Sequence, residues 1–320
     1  MLRKRPSGAE WELFVKEWNE GGHADKVKLC DKYETTYGVG KHWVSDRTNK
    51  TDKVETKLEE IEKTYTLNKP LTLNVSNEQQ TIAVVGDTHN PYQDDHAVDI
   101  TCRFLEEKQP EVLVLNGDIN DFYQASVFSK DAKRIGSMQE DVDSTKKLLE
   151  RFRSILPNTE IIFVDGTHCH RWEKYLQDKA PGASTLDCLT IPALFDLEKY
   201  NIGHVEYERG LLVNGVFLIL HGDIVSKHSS ETAKNQYIKN GGNGMCNHTH
   251  RGGSFFKRDR FGVWGWWENY CLCRLDPDWI QNPNWVQGFS MVHFTSGKRF
   301  FVEQIPIIDG EFMYAGQVYK

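Results

Sequence analysis

No stretch of this 320-residue chain stays apolar over the ~18 to 20 residues that a membrane-spanning helix needs, so no membrane partner is expected. The basic start, MLRKRPSGAEWELF, has no apolar core behind its charges, and no secretion signal is expected either. Seven cysteines contain no CxxC pair, the usual mark of a zinc or thioredoxin-like site. Such an odd set reads as reduced core thiols of a cytoplasmic protein. Internal repeats and low-complexity tracts are missing as well, which leaves no case for a solenoid. Excess positive charge is also lacking: the formal net charge is -7, which argues against a chain coated for nucleic acid.

The charge that is present is unevenly placed. Residues 1–50 hold ten Lys or Arg against eight Asp or Glu, so a slightly basic front precedes a body that carries a net -9. Length beyond the size at which one hydrophobic core stops growing, 39% hydrophobic content and a mean hydropathy of -0.57 suit a large soluble domain with a smaller companion. At the front, Trp11, Phe14, Val15 and Trp18 recur at helical spacing, and a second helix pattern over 24–34 places Val27 and Cys30 inward. A turn at 35–38 leads to a third short helix anchored by Trp43 and Val44. Three short helices with a tight turn before the last resemble a helix-turn-helix, in which Lys41, His42, Ser45 and Arg47 would face a major groove and the Arg3 to Arg5 run would touch phosphates. DNA is therefore the expected partner; a dimerisation module, and with it a homo-oligomer, is the alternative. Residues 51–80 read as a charged spacer helix and an edge strand, and 81–320 as the main domain.

That domain repeats one pattern: an apolar run, then a polar tip, then a helix. TIAVVGDTHN over 81–90 ends a β-branched run in Asp87 and His89. Val112–Leu115 delivers Asn116, Gly117 and Asp118, and Ile161–Val164 delivers Asp165, Gly166, Thr167 and His168. Val216–Leu220 delivers His221, Gly222 and Asp223, and GGNGMC leads to Asn247, His248, Thr249 and His250. Imidazole and carboxylate offered together at strand tips suit a divalent ion. Crossover helices would bring these tips to one side of a sheet. The aromatic tail, with strand-like runs at 270–275, 289–294 and 299–305, is expected to pack as the second sheet and its flanking loops, with an aromatic stack for unpaired bases, Trp285 among its rings, as the alternative.

The ordered series GDTH, NGD, GTH, HGD and NHTH resembles the calcineurin-like metallophosphoesterase superfamily, whose pattern is D-x-H, G-D, G-N-H, H and G-H-x-H; the match spans 81 to about 251. The resemblance implies an αββα sandwich and two divalent ions, manganese foremost, with iron, zinc, nickel or magnesium as alternatives. It assigns Asp87, His89 and His250 to the first ion, His221 and His248 to the second, and Asp118 to a bridging and catalytic role. A metal-activated water would attack phosphorus directly, and His168 would serve the leaving oxygen. Three positions depart from the pattern: Thr167 stands where a ligating asparagine is usual, Cys169 where an acid is usual and Asn247 where a glycine is usual; either the second ion binds more loosely, or Asn247, Asp165 or a water compensates for Thr167. Asp121, Tyr123, His170, Arg171 and Arg251 lie just past the motifs and are candidate substrate contacts, the two arginines as phosphate clamps. HGDIVSKHS and the WENYCLC tail are similar to phage- and prophage-type members. The expected function is a metal-dependent phosphodiesterase or nuclease on DNA. A phosphomonoesterase on a small molecule or phosphoprotein is the alternative, as is a DNA-binding protein with a degenerate metal site.

Overall fold

The computed structural model describes residues 13–14, 16–18, 20, 26–32, 69–75, 80–131, 136–207, 209–277, 280–295 and 298–320. The chain divides into two compact units, Met1–Lys69 and Pro70–Lys320. In the first, Phe14 and Trp18 pack with ring centroids 5.8 Å apart and are buried, as is Cys30. Val27, expected to point inward with Cys30, is exposed. The turn and third helix of the helix-turn-helix reading, including Lys41, His42, Ser45 and Arg47, lie outside the described residues, as does the spacer helix. No helix among the described residues is long and apolar enough to cross a membrane.

The second unit is an αββα sandwich of two six-stranded mixed sheets. One sheet orders β12 (Phe300–Ile307), β11 (Gln287–Phe294), β2 (Gln80–Val85), β3 (Val112–Asn116), β4 (Glu160–Val164) and β5 (Ile202–Val205), with β2 to β5 parallel. The other orders β1 (Leu71–Leu73), β6 (Leu211–Val213), β7 (Phe217–Leu220), β8 (Asn243–Cys246), β10 (Gly262–Glu268) and β9 (Gly253–Asp259), and β1 is the edge strand anticipated before the main domain. A small hairpin, β13 (Phe312–Tyr314) and β14 (Gln317–Tyr319), closes the chain.

Alternation along β2 shows why its sequence is apolar throughout. Ile82 and Val84 join the core between the sheets with Val114, Phe217, Met245 and Trp267, whereas Ala83 and Val85 join the core under the helices. Helices α1 (Asp95–Lys108), α2 (Met138–Ile155) and α3 (Thr167–Lys179) give that second core Phe104, Phe152 and Trp172, with the short α4 (Ile191–Leu194) beside them. On the opposite outer face α5 (Glu231–Asn240) covers Trp266 through Ala233. Local signals place the helix starts: Asp94 caps α1 by accepting from the Ala97 amide, and Ser137 with Glu140 forms a capping box on α2.

Two expectations about the tail are corrected. β11 and β12 extend the first sheet beside β2 instead of building the second. The reason is burial on both faces of β11: Phe289 and Met291 reach the helix-side core, Val292 and Phe294 the inter-sheet core. Residues 270–275 form only isolated bridges, Cys271 to Gln287 and Cys273 to Gln93. The second sheet takes the β9–β10 hairpin, which the pattern of the sequence did not announce.

Candidate metal centre

The polar tips do converge, but from both sheets. β2 and β3 deliver Asp87, His89 and Asp118; the turn after β4 opens α3 with Thr167 and His168; β7 and β8 of the other sheet deliver His221, His248 and His250. The expected gathering at one sheet is therefore a gathering where two sheets abut. Close approach is permitted by glycine: a Cβ at Gly166 would overlap the Asp118 carboxylate, and one at Gly117 would overlap the His221 ring. Asp87, His89, Asp118, His248 and His250 all hold left-handed backbone, with φ of 51°, 50°, 50°, 78° and 58°. Non-glycine residues seldom stay there unless the surroundings force them to, at a cost on the order of 1 kcal/mol or more each.

Asp87, His89 and His250 form one cluster. The Nε2 atoms of His89 and His250 stand 2.9 Å apart, and each lies 3.7 and 3.6 Å respectively from Asp87 Oδ1. That oxygen is buried and has no hydrogen-bond partner among the described residues, while Oδ2 accepts from the His248 amide at 3.0 Å and the Asn247 side chain at 3.1 Å. One carboxylate oxygen is thus fixed and the other left aimed at two imidazoles. Donors sharing an ion at ~2.0 to 2.2 Å sit roughly 3 to 3.5 Å apart, so this set fits a divalent metal.

Asp118, His221 and His248 form the second cluster. His221 Nε2 is 3.0 Å from Asp118 Oδ2 yet out of line for a hydrogen bond, and it too is buried without a partner. His221 Nδ1 lies 2.9 Å from the Asn116 carbonyl, the outer contact that fixes a ligand's tautomer. Asp118 Oδ1 accepts from the His168 amide at 2.8 Å. Because Gly166 offers α3 no side-chain cap, the Asp118 carboxylate serves that helix N-terminus from another strand. Thr167 donates to Asp118 Oδ2 at 2.9 Å and is 3.4 Å from His248 Nδ1, so a neutral hydroxyl holds the place of the usual amide. Asn247 and Asp165 do not substitute for it. The Asn247 amide is spent on Asp87, Tyr270, Asn116 and Asn269, and Asp165 holds His204 at 2.9 Å.

Burial and mutual charge polarise the group. Burial acts to lower His221 and His250, but Asp118 and Asp87 hold His221 up at about 9, and Cys273 with Asp87 holds His250 up at about 10. Burial and the neighbouring His221 push His248 down to about 4. Burial raises Asp87 and Asp118, yet the surrounding histidines, His250 foremost for Asp87 and His168 for Asp118, keep both carboxyls well below the usual range. Both aspartates are therefore charged in the buried site, as ligands must be.

His168 lies beside both clusters, its ring 4.6 Å from that of His89 and its Nε2 3.8 Å from Asp118 Oδ2. Its Nδ1 meets the Asp121 carbonyl at 2.8 Å and its Nε2 meets Arg171 Nη2 at 2.8 Å. Arginine has no lone pair to offer, so Nε2 accepts and Nδ1 carries the hydrogen. Arg171 also donates to the Asp121 carbonyl at 2.9 Å.

A cavity of about 590 Å³ opens beside His89, His168 and His250, and Asp121, Tyr123 and Arg171 line it as the candidate substrate contacts. The other two candidates face elsewhere. Arg251 donates to the backbone carbonyls of Ser226 and Asn284, and His170 is stacked on Tyr207 at 4.8 Å near Glu173. Arg251 is drawn off by a loop carbonyl, and His170 by its place on the outer turn of α3. Sequence reasoning missed Tyr92, Phe128, Arg274 and Ile280 on the same cavity wall, which Trp285 also lines, and Cys273, whose Sγ is 3.8 Å from His250 Nδ1. Only the aromatic density of the tail hinted at Trp285.

Similarity in sequence points to phage proteins. The chain is 23% identical over 256 residues to the Gene 54 protein of Mycobacterium phage L5, covering 75% of this chain and 98% of that one. It is 24% identical over 259 residues to the Gene 54 protein of Mycobacterium phage D29, with the same coverage. No protein-family profile matches the chain. Among solved structures it is similar to Vps29 of Entamoeba histolytica, at 13% identity over 73% of this chain and 96% of that one with a TM-score of 0.37. Vps29 of Cryptosporidium parvum is similar at 11% identity over 76% and 98%, with a TM-score of 0.39. What the site does is decided by its own side chains.

Proposed function

We propose that this protein is a metal-dependent phosphoesterase of the calcineurin-like kind, acting on a phosphodiester of DNA. The observation that carries the reading is the pair of facing clusters, Asp87–His89–His250 and Asp118–His221–His248, each with a buried ligand atom that lacks a hydrogen-bond partner. Divalent ions held there would supply Lewis-acid charge for the phosphoryl oxygens and a lowered pKa for bound water.

The chain's own groups supply the rest. Arg171, at the cavity wall, has a fork suited to a phosphate oxygen pair, and moving to it releases His168 Nε2. His168, held by Asp121 through Nδ1, is then free to take up a proton and pass it to the departing oxygen. Asp118 orients α3 through the His168 amide, so the imidazole and the carboxylate keep one geometry. DNA is supported by the helix-turn-helix-like front, and a phage setting by the Gene 54 similarity.

The test is a metal screen with labelled single- and double-stranded DNA, using Asp118→Asn as control. Cleavage that needs the metal and is lost in the variant supports the reading; cleavage unchanged in the variant refutes it. Comparing a phosphomonoester with a phosphodiester chromogenic substrate separates the monoesterase alternative.

A further inference from the structure

The cavity beside the metal centre is shaped for more than a phosphate. A phosphoryl group needs only the ions and one or two cations, yet about 590 Å³ lies open here, a volume in the range of pockets that enclose whole small ligands. Its walls are aromatic: Tyr92, Tyr123, Phe128 and Trp285. Trp285 and His250 meet in a T-shaped contact with ring centroids 4.4 Å apart, which sets an indole next to the reacting centre. Phe128 is 74% exposed at the rim, and Ile280, from a different loop, is 41% exposed. Large apolar groups left in water around a polar centre mark a surface built to be covered.

Polar groups are interleaved with these rings. Arg171 and Arg274 bring positive charge to the wall, while Ser126, Ser129 and Asp131 bring hydroxyls and a carboxylate from the Phe128 loop. Polar groups set among rings in this way suit a flat heterocycle, which offers a face to the aromatics and donors and acceptors along its edge.

We infer that this cavity receives one unpaired nucleobase next to the scissile phosphate, with Phe128 as its stacking platform and Arg274 on the flanking phosphate. The inference rests on the phosphoesterase reading and sharpens its substrate. A base still paired in a duplex has its faces covered by its neighbours and cannot stack on Phe128, so the favoured DNA is single-stranded or frayed at its end.

The test uses the full-length, manganese-loaded protein and two diesters with the same reacting bond: the p-nitrophenyl ester of thymidine 5′-monophosphate, and methyl p-nitrophenyl phosphate, which has no base. The wild type should favour the thymidine ester by about 10- to 100-fold in kcat/KM, the worth of one stacked base. In Phe128→Ala that ratio should fall about tenfold, chiefly through KM, and Phe128→Trp should restore it. An unchanged ratio in Phe128→Ala, or faster turnover of O-phosphotyrosine than of the thymidine ester, overturns the base cavity while leaving the phosphoesterase intact. If neither ester turns over, the phosphodiesterase reading fails, and calorimetry still decides the cavity. Thymidine 5′-monophosphate binding at least tenfold more tightly than methyl phosphate, with the gap lost in Phe128→Ala, supports it; equal binding overturns it.

Discussion

The two ligand clusters are built from the same residue types and differ in how finished they are. Around the first, Asp87 has one oxygen pinned by Asn247 and the His248 amide and the other pointed at two imidazoles, and the group opens on the cavity. Around the second, both Asp118 oxygens already have work, capping α3 and accepting from Thr167, and Thr167 gives a neutral hydroxyl where an amide is usual. The first cluster is poised toward substrate and the second toward the scaffold. The difference teaches that two clusters of the same composition in one fold can be tied unequally to the scaffold, because one carboxylate also serves a helix N-terminus.

The comparison can be broken most severely at the shared carboxylate. Asp118→Asn should abolish turnover and lower metal content, measured by kinetics and elemental analysis on a protein whose circular dichroism is unchanged. Next in size, His168→Gln should cut kcat by about 10²- to 10⁴-fold with both ions retained. Its loss should be smaller for p-nitrophenyl esters, whose leaving group needs no proton.

A pH titration then tests both clusters at once. Each ion must displace a proton, from His250 held at about 10 or from His221 held at about 9. Metal affinity should therefore fall as pH drops below that range, by up to ~tenfold per unit for each proton released. Calorimetry in buffers of differing ionisation enthalpy counts those protons, and an affinity flat between pH 6 and 9 contradicts the assignment.

Thr167→Asn addresses the asymmetry itself. An amide in that place should tighten the weaker ion by about tenfold and leave the tighter one alone, seen as two binding steps drawing together in a metal titration. The smallest effect is expected at Arg251. Since its guanidinium holds the Ser226 and Asn284 carbonyls, Arg251→Ala should cost about 1 kcal/mol of stability in thermal melts and change kcat by less than ~threefold.

Much of this arrangement was readable in advance. The β2, β3 and β4 runs announce buried strands because both of their faces are covered, and their tips carry polar residues that the fold brings together. What the residues could not disclose was partnership across long separations. β11 reads as an apolar strand, but nothing local says that it joins β2 and not the other sheet. Arg251 and Arg171 look equally apt as phosphate clamps in sequence, and only the fold turns the first to the Ser226 and Asn284 carbonyls and sets the second on the cavity wall beside His168 and Asp121. The Phe128 and Trp285 walls come from loops, where no periodicity warns of shape.

The five left-handed corners at Asp87, His89, Asp118, His248 and His250 have a bearing on descent. Glycine at any of them would ease the chain and erase a ligand in one step. Homologues that have abandoned ion chemistry should therefore drift toward glycine or asparagine at those corners, and homologues under selection for it should resist. Reading five positions in a relative would then tell a working centre from a relic before any assay is run.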